Sequence, residues 1–259
     1  MIHKTAIINS NAKVPSSTKI GANTIIGGKV EIGSNVTIHS NVVLTGDTKI
    51  GDENIIYPFA AIGNDPQDLK YKGENTKIII GKKNKIREYV TINPGTLEGG
   101  GVTVIGDNCL LMIGSHIAHD CRIGNNVIIA NNVPLAGHVE INDNVIIGGN
   151  SAVQQFTRIG KFAMIGGMTG VVNDVIPYSL SVGNRNYLKG LNLIGLRRAK
   201  FDKKDIIELS KAYKELFINS NINKNIHIVS KKYKNNLLIR DVISFINKDK
   251  KRSIAKPKK

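Results

Sequence analysis

Three histidines and one aspartate between residues 116 and 138 have side chains suited to proton transfer. His116, His119 and Asp120 lie within five residues, and His138 follows Asp120 by eighteen. A carboxylate beside an imidazole fixes its tautomer and stabilises its protonated form, as required of a general base that takes a proton from a hydroxyl. No serine or cysteine nearby has the sharp turn of an activated nucleophile. The segment therefore favours direct transfer to an acceptor hydroxyl over a covalent enzyme intermediate.

The elements that hold these residues follow a six-residue repeat of aliphatic side chains. A helix would require spacings of three and four, and a simple strand a spacing of two, so a spacing of six indicates short strands separated by turns. The pattern resembles the hexapeptide repeat of left-handed parallel β-helices, whose three-sided coils hold eighteen residues, and the predicted handedness depends on that resemblance alone. The repeat positions are Ile2, Ile8, Val14, Ile20, Ile26, Ile32, Ile38, Leu44, Ile50, Ile56, Ile62, Ile80, Ile86, Ile92, Ile105, Leu111, Ile117, Ile123, Ile129, Leu135, Ile141, Ile147, Val153, Ile159, Ile165 and Val171.

Two interruptions of the repeat predict loops that project from the coil. The first, near 64–77, has Asp68 and Glu74 where the repeat expects aliphatic residues, and the second, near 94–101, is rich in glycine and shifts the repeat by one residue. A glycine-rich loop can hold phosphate groups, but this one lacks the strand-to-helix pattern of a nucleotide-binding loop. We therefore interpret it as a turn.

An eighteen-residue coil predicts which polar residues stack, because residues eighteen apart lie above one another at the strand spacing of about 4.8 Å. Ile117 and Cys121 occupy the inward positions of their repeat unit, so His119 and Asp120 are expected to face outward. The predicted stacks are His119 with Gly137 and Gln155, and Asp120 with His138.

Residues after about 177 differ in composition and predict a small helical domain. Segment 191–217 has helical spacing with Asp202 as an N-cap, and segment 237–246 predicts another helix. We therefore predict a mainly β protein, with a left-handed parallel β-helix over 1–176 and an α-helical C-terminal domain with a basic tail over 177–259. The helices would cover the open end of the coil, which otherwise exposes strand edges and apolar side chains.

Positive charge is concentrated in the C-terminal part of the chain. Residues 189–259 hold 20 Lys and Arg against 6 Asp and Glu, whereas residues 1–188 hold 16 against 14. Such a surface either binds an acidic partner, such as a carrier protein, nucleic acid or membrane surface, or is only solvated. Aromatic residues are not interleaved with these charges as in proteins that stack on nucleic-acid bases, so no nucleic-acid partner is predicted.

The cysteines and apolar segments predict where the protein acts. Cys109 and Cys121 form neither a metal-binding spacing nor a disulfide framework, which suits a reducing compartment. The N-terminus lacks the apolar core of an export signal, and no segment approaches the ~20 apolar residues that cross a membrane. We expect a cytoplasmic protein without an integral membrane segment.

Six segments resemble the UDP-N-acetylglucosamine acyltransferases that open lipid A biosynthesis. Hexapeptide repeats alone are shared by many acyltransferases, whereas QDLKY, HIAHD and LAGHV together are a strong indication. The likeness covers nearly the whole chain in order, including the projecting loop and the helical C-terminus. The segments are QDLKY (67–71), HIAHD (116–120), LAGHV (135–139), AVQQF (152–156), IGG (165–167) and NLIGLRR (192–198).

The resemblance implies a homotrimer with sites between neighbouring coils. It implies transfer of a 3-hydroxyacyl chain from acyl carrier protein to the 3-hydroxyl of UDP-N-acetylglucosamine, with no cofactor and no metal. By the same resemblance His119 is the general base, Asp120 orients it, and the Gly137 N–H stabilises the oxyanion. Gly167 matches the position that sets acyl-chain length, and its missing side chain predicts a long chain. The implied substrate-binding residues are Gln67, Asp68, Lys70, His116, His138, Gln155, Asn192 and Arg198.

Four positions toward the nucleotide end depart from the family's pattern. Gln154 and Arg185 each stand where the family usually has histidine, Ile194 replaces an acid, and Ala199 replaces an arginine. Arg185 can still bind a phosphate, with more reach than an imidazole.

Three other functions remain open from the sequence. The γ-class carbonic anhydrases, also β-helix trimers, bind zinc through three histidines, as His116, His119 and His138 would here, but Asp120 and the QDLKY loop would then have no role. The second is acyl transfer of a related kind, either by the N-acyltransferase of the same pathway, which has a domain before its repeats, or by a coenzyme A-dependent sugar acetyltransferase. The third is a non-enzymatic scaffold or a nucleic-acid binder that uses the basic C-terminal part.

Overall fold

A computed structural model describes residues 1–219, 221–248 and 252–258. In chain order the strands are β1 (Ile7–Ile8), β2 (Lys19–Ile20), β3 (Ile25–Ile26), β4 (Val30–Ile32), β5 (Thr37–Ile38), β6 (Val43–Leu44), β7 (Asp47–Ile50), β8 (Ile55–Ile56), β9 (Ala61–Ile62), β10 (Lys77–Ile80), β11 (Lys85–Ile86), β12 (Thr91–Ile92), β13 (Val102–Ile105), β14 (Leu110–Leu111), β15 (His116–Ile117), β16 (Arg122–Ile123), β17 (Ile128–Ile129), β18 (Pro134–Leu135), β19 (Glu140–Ile141), β20 (Ile146–Ile147), β21 (Ala152–Val153), β22 (Arg158–Ile159), β23 (Met164–Ile165), β24 (Gly170–Val171), β25 (Ser179–Val182) and β26 (Tyr187–Leu191). The helices are α1 (Leu193–Arg198), α2 (Lys203–Leu216), α3 (Ile222–Lys232) and α4 (Leu237–Lys248), and Leu97–Gly99 forms a 3₁₀ turn.

The strands form a three-sided parallel β-helix. The first face is the sheet β1-β3-β6-β9-β12-β15-β18-β21-β24, the second runs from β4 to β22, and the third runs from β2 to β26. The chain passes from the first face to the second, then the third, and back to the first. Each strand pairs with the strand one coil later, so that Ile117 lies beside Leu135 and Ile123 beside Ile141. This coil is the predicted fold.

The predicted aliphatic positions fill the interior of the coil. From Ile20 to Val171 every residue of the repeat is buried, whereas Ile2 in the open first coil is 52% exposed. The small residue two positions before the next aliphatic also points inward, as Cys121 and Val139 do. Each six-residue unit therefore consists of one short strand and one corner, and it buries two side chains.

Both projecting loops leave the coil at the same edge. The first follows β9 and the second follows β12, and each returns to a strand of the second face, β10 or β13. The coil resumes its register across both insertions, since Ile62 pairs with Ile92 and Ile92 pairs with Ile117. We call this the first–second edge, and name the other two edges in the same way.

The C-terminal part differs from the prediction in its first residues. Before any helix, β25 and β26 form an antiparallel hairpin that extends the third face. Asp202 caps α2 by accepting from the Lys204 N–H, as predicted, and α4 matches the second predicted helix. The intervening helix α3 was not predicted. The domain boundary near 177 stays a prediction.

The helices are joined to the last coils by a buried ion pair and by the C-terminal segment. The Arg158 guanidinium donates to Asp174 (2.7 and 2.8 Å) and to the Phe245 carbonyl in α4 (3.2 Å). Residues 252–258 run back over the coil, where Ile254 bridges to Asp174. Within the described ranges no helix is long and apolar enough to span a membrane.

Candidate active site at the first–second edge

The strand register confirms the predicted stacking of polar residues. The corners after β15 and β18 lie directly above one another, and the His138 N–H donates to the His119 carbonyl (3.0 Å). One coil further, the Phe156 N–H donates to the Gly137 carbonyl (3.1 Å). The first–second edge therefore holds a column of residues 119, 137 and 155 and a second column of residues 120, 138 and 156.

The second column occupies the one corner position whose backbone is left-handed. Asp120, His138 and Phe156 have φ of 60°, 61° and 64°. At the second–third edge of the same coils the equivalent residues are Asn126, Asn144 and Phe162, all with positive φ. Asn and Asp tolerate this conformation at little cost, whereas bulkier residues rarely adopt it. Asp120 and His138 therefore occupy corner positions that are Asn at the second–third edge of their own coils.

His119 and Asp120 form a buried hydrogen-bonded pair. The His119 Nδ1 lies 2.9 Å from the Asp120 Oδ2, and the two residues are 8% and 5% exposed. An ionised carboxylate only accepts, so the proton of a neutral His119 is on Nδ1 and the lone pair is on Nε2. This tautomer gives Nε2 the role of proton acceptor.

The second loop covers the Asp120 carboxylate from outside the coil. The Thr96 N–H lies 3.0 Å from both carboxylate oxygens, and the Thr96 hydroxyl donates to Oδ2 (2.7 Å). His119 and Asp120 lie at the corner, as predicted, but both are buried, Asp120 against the loop, which the sequence did not indicate. Burial raises the pKa of Asp120, but the hydrogen bonds from His119 and Thr96 and the nearby His138 outweigh it and hold the pKa below its usual range.

Gly137 lies against the imidazole of His119. A β-carbon at Gly137 would lie 2.5 Å from Cε1 and 2.6 Å from Nε2 of that ring, so only glycine leaves room for it. Among the described residues, no hydrogen bond uses the Gly137 N–H. This N–H is therefore an available donor on a residue that lies against the His119 ring.

His138 and Phe156 continue the site one coil further. The His138 Nε2 is 4.0 Å from the Asp120 Oδ2, and its ring packs edge-on to His119 at 5.1 Å. Phe156 stacks on His138 at 4.4 Å. A cavity of about 140 Å³ adjoins them, and it is lined by Gly99, Asp120, Arg122, His138, Glu140, Phe156 and Arg158.

His116 lies on the first face rather than in the columns. Its Nδ1 is 2.7 Å from the Thr91 hydroxyl on the strand below. Burial, and to a lesser degree the neighbouring His119, lower the pKa of His116. The neutral imidazole is therefore favoured, and it remains able to hydrogen-bond a substrate.

Three predicted substrate residues lie on the first loop. Gln67 and Lys70 are exposed, and the Asp68 carboxylate accepts from the Lys70 N–H (3.0 Å). The Lys70 ammonium pairs with Glu98 of the second loop (2.9 Å), so the two loops are in contact. Through this ion pair, the loop that carries these residues contacts the loop that covers Asp120.

The remaining predicted residues lie farther from His119 within one chain. Gln155 is exposed at the top of its column, and its carbonyl accepts from Arg252 (2.6 Å). The Asn192 side chain is used locally, since it accepts from Gly195 N–H (3.1 Å) and donates to the Phe162 carbonyl (3.0 Å). Arg198 is exposed on α1, and Gly167 is exposed at the third–first edge. Of the four departing positions, Gln154, Arg185, Ile194 and Ala199 are all exposed.

The sequence did not identify Thr96 or Phe156 as part of the site. Thr96 lies in the loop that we interpreted as a turn, and its contact with Asp120 spans 24 residues of chain. Phe156 was read only as part of a family motif.

A metal site would use a different residue set from the one considered above. His119, Asp120 and His138 have ligand atoms within 4.8 Å of one another, but His116 is not part of that group. The Asp120 carboxylate already accepts from Thr96 and His119, and the His119 Nδ1 donates to it. A metal ion would have to replace these hydrogen bonds, so the donor set fits a proton acceptor better than a zinc ligand set.

Comparison with known proteins agrees with this geometry. The model of "Udp N-acetylglucosamine O-acyltransferase; Domain 2" matches residues 174–255, and the bacterial transferase hexapeptide model matches 29–64 and 102–133. An acyl-[acyl-carrier-protein]--UDP-N-acetylglucosamine O-acyltransferase of Rickettsia typhi is 49% identical over 259 residues, which is 100% of this chain and 98% of the relative. The chain belongs to the UDP-N-acetylglucosamine O-acyltransferase family.

Other members of the family match equally along their length. A Rickettsia felis protein of the same name is 52% identical over 98% of this chain and 97% of its own. The UDP-N-acetylglucosamine acyltransferase structure from Campylobacter jejuni has a TM-score of 0.94 at 38% identity, with both chains covered completely. The coil is therefore the left-handed β-helix of this family, as predicted.

Proposed function

We propose that this protein transfers a 3-hydroxyacyl chain from acyl carrier protein to the 3-hydroxyl of UDP-N-acetylglucosamine, the first step of lipid A biosynthesis. The observation that carries the proposal is the buried His119–Asp120 pair beside the Gly137 N–H. The relatives that match the whole chain are named for an acyl carrier protein donor and this sugar nucleotide. The pair supplies the general base that such a transfer requires.

The proposed reaction is a direct transfer. His119 Nε2 takes the proton of the sugar hydroxyl while its oxygen attacks the thioester carbonyl, which forms a C–O bond and leaves negative charge on the carbonyl oxygen. The Gly137 N–H would donate to that oxygen, an effect often worth about 3 kcal/mol. The C–S bond then breaks, and the proton held by His119 passes to the departing sulfur. Asp120 stabilises the imidazolium between these two proton transfers.

A second copy of the chain completes the proposed site. His119 lies at the first–second edge, whereas Gly167 precedes β24 at the third–first edge, three strands higher on the first face. Three strand spacings are about 14 Å along the coil, a length that suits a long acyl chain. One chain has these residues on different edges, so a shared cleft needs the edge of a neighbour, which supports a homotrimer with Gly167 as the chain-length residue.

The partners and location follow from charge and redox state. Exposed lysines on α2 and α3, together with the basic C-terminal segment, favour an acidic carrier protein over a neutral donor. Cys109 and Cys121 are free and buried, which suits the reducing environment of the cytoplasm. Gln67, Asp68, Lys70, His116 and His138 would bind the sugar and diphosphate, and Gln155, Asn192 and Arg198 the nucleotide end.

A direct assay tests the proposal. Purified protein is incubated with UDP-N-acetylglucosamine and a panel of acyl carrier protein thioesters, with and without a 3-hydroxyl and of several lengths, and the products are identified by mass spectrometry. We expect an O-acylated sugar nucleotide, formed fastest from a long 3-hydroxyacyl thioester. Transfer from coenzyme A alone, or activity lost together with stoichiometric zinc, would contradict the proposal. Sedimentation of the same sample measures the trimer.

A further inference from the structure

We propose that Thr96 is a positioning residue of the active site: the second loop holds the Asp120 carboxylate from outside the coil and so fixes the orientation and tautomer of His119. The loop is then part of the catalytic apparatus rather than a connection between faces. The inference rests on the proposed function for its kinetic test, and an NMR measurement tests it separately.

Two imidazoles compete for the same oxygen of Asp120. Oδ2 lies 2.9 Å from the His119 Nδ1 and 4.0 Å from the His138 Nε2. A small rotation of the carboxylate would therefore move it from the base toward His138. A third group must set that rotation if His119 is to keep its partner.

Thr96 supplies that group from a different part of the chain. Its N–H lies 3.0 Å from both Asp120 oxygens, which fixes the plane of the carboxylate, and its hydroxyl donates to Oδ2, the oxygen that His119 uses. Thr96 is 6% exposed, so water does not readily replace these bonds. Hydrogen bonds to a charged, buried acceptor are among the strongest in proteins.

Two glycines of the second loop, Gly95 and Gly99, lie close to the same carboxylate. A β-carbon at Gly99 would overlap the carboxylate group itself, and one at Gly95 would overlap the backbone of Gly101 and Val102 and lie 2.7 Å from the Asp120 Oδ1. Neither glycine has a positive φ, so close approach rather than backbone conformation accounts for them. Loop residues on both sides of Thr96 therefore lie close to the carboxylate.

The loop is itself held in place. The Asn93 side chain at its start donates to the carbonyls of Asn64 (3.0 Å) and Asp65 (3.2 Å), and the Gly101 carbonyl at its end accepts from Lys77 (2.9 Å). These bonds join the second loop to the first. A residue held in this way can act as a fixed donor.

The pH dependence offers a readout that a purely structural role would not affect. Besides His119 and Thr96, the charged or titratable groups around Asp120 are the adjacent Cys121 thiol, His138 on the next coil, and Arg122, Glu140 and Arg158 around the adjoining cavity. Burial raises the pKa of Asp120, and Thr96 is among the groups that lower it. Removing the Thr96 hydroxyl therefore raises the pH at which Asp120 becomes protonated and His119 loses its acceptor.

The test compares Thr96→Val, Thr96→Ser and the control Thr24→Val. Thr24 is another fully buried threonine, whose hydroxyl donates to the His39 carbonyl (2.7 Å) far from the site. For Thr96→Val we expect kcat to fall about tenfold to a hundredfold, the range for losing a hydrogen bond to a charged group. The acid limb of the pH–rate profile should move to higher pH, while KM changes little. Thr96→Ser should stay close to wild type, and Thr24→Val should change only thermal stability.

A second variant and a spectroscopic signal keep the proposal testable if Thr96→Val does not fold. Gly99→Ala retains Thr96 but pushes on the carboxylate, and it should move the acid limb in the same direction. In wild type the proton on His119 Nδ1 should give a downfield NMR signal that disappears in Asp120→Asn and shifts in Thr96→Ser less than in Gly99→Ala. Unchanged profiles and signals in an active enzyme would overturn the role of Thr96, whereas inactive wild type with an intact signal would overturn only the proposed function.

Discussion

Two edges of the same coil use acidic and amide side chains in different ways. At the second–third edge, each one satisfies the backbone of a neighbouring coil: Asp107 accepts from the Lys82 N–H (2.7 Å), Asn125 from Asp107 (2.8 Å) and Asp143 from Asn125 (2.7 Å). At the first–second edge the equivalent position holds His119, and Asp120, which follows it, binds this histidine and a loop. The coil provides the same corner positions in both cases, so the inserted loops and the change of residue types turn one edge into a candidate active site.

The largest expected difference between the edges is in catalysis. His119→Ala removes the base and should lower kcat by about 10²–10⁴-fold, with the trimer intact. Asp143→Ala at the second–third edge should leave kcat unchanged and reduce only the melting temperature. Steady-state kinetics and sedimentation of both variants check this pair of expectations. Turnover like that of wild type in His119→Ala would refute the assignment of the base.

A smaller effect is expected from crowding the base. Gly137→Ala places a methyl group against the His119 ring, so kcat should fall by up to ~100-fold because a displacement near 1 Å can cost that much. Gly27→Ala at the same edge is the matched control, since its nearest neighbour atom lies at 3.4 Å. Equal activity of the two variants would mean that the imidazole does not need this space.

The third–first edge, which holds Gly167, should control the choice of acyl-chain length rather than the rate. A β-carbon at Gly167 meets the Gly149 carbonyl oxygen at 3.3 Å, so a side chain there requires only a small adjustment. Gly167→Met should shift the preferred acyl chain to a shorter length while turnover of the shorter substrate is kept. Competition between thioesters of different lengths, read by mass spectrometry, measures the shift. The same product length as wild type would remove Gly167 from this role.

The smallest expected effect is on how the free energy of unfolding depends on pH and salt. Hydrogen bonding to Lys82, then to the Ser34 N–H, lowers the pKa of the exposed Asp52 at the second–third edge, and the pKa of the buried Asp120 is also lowered. A carboxyl whose pKa is lower in the folded state stabilises it above the unfolded pKa of about 3.9, and this contribution is lost as pH falls through the folded pKa.

The two carboxylates should therefore respond differently to salt. Salt screens exposed charges strongly and buried ones much less, so 0.5 M salt should reduce the stabilisation by Asp52 and leave that by Asp120, on the order of 1–3 kcal/mol, nearly unchanged. Urea unfolding of Asp52→Asn and Asp120→Asn between pH 3 and pH 7 at two salt concentrations measures this. An equal salt response would mean that water reaches Asp120.

The coil could be predicted because it follows from a short repeat along the sequence. The cover of the site could not, because it depends on a contact between distant parts of the chain. One aliphatic residue in six decides which side chains are buried, and eighteen residues per coil then decide that His119 stacks on Gly137. The contact between Thr96 and Asp120 depends on the path of a loop outside the repeat, for which no periodicity exists. The hairpin at Ser179–Leu191 was missed for a related reason, since its strands carry no six-residue signal and follow directly on the third face.

The register of the coil also bears on the order in which the chain can fold during synthesis. Most strand pairs join residues eighteen apart, so each coil closes a short loop and can form as soon as the next coil has been made. The contact of Arg158 with Phe245 spans 87 residues and must wait for α4. Both loops and the two columns end before Arg158, so the part of the first–second edge that holds them can be assembled on a growing chain before any helix of the C-terminal part exists.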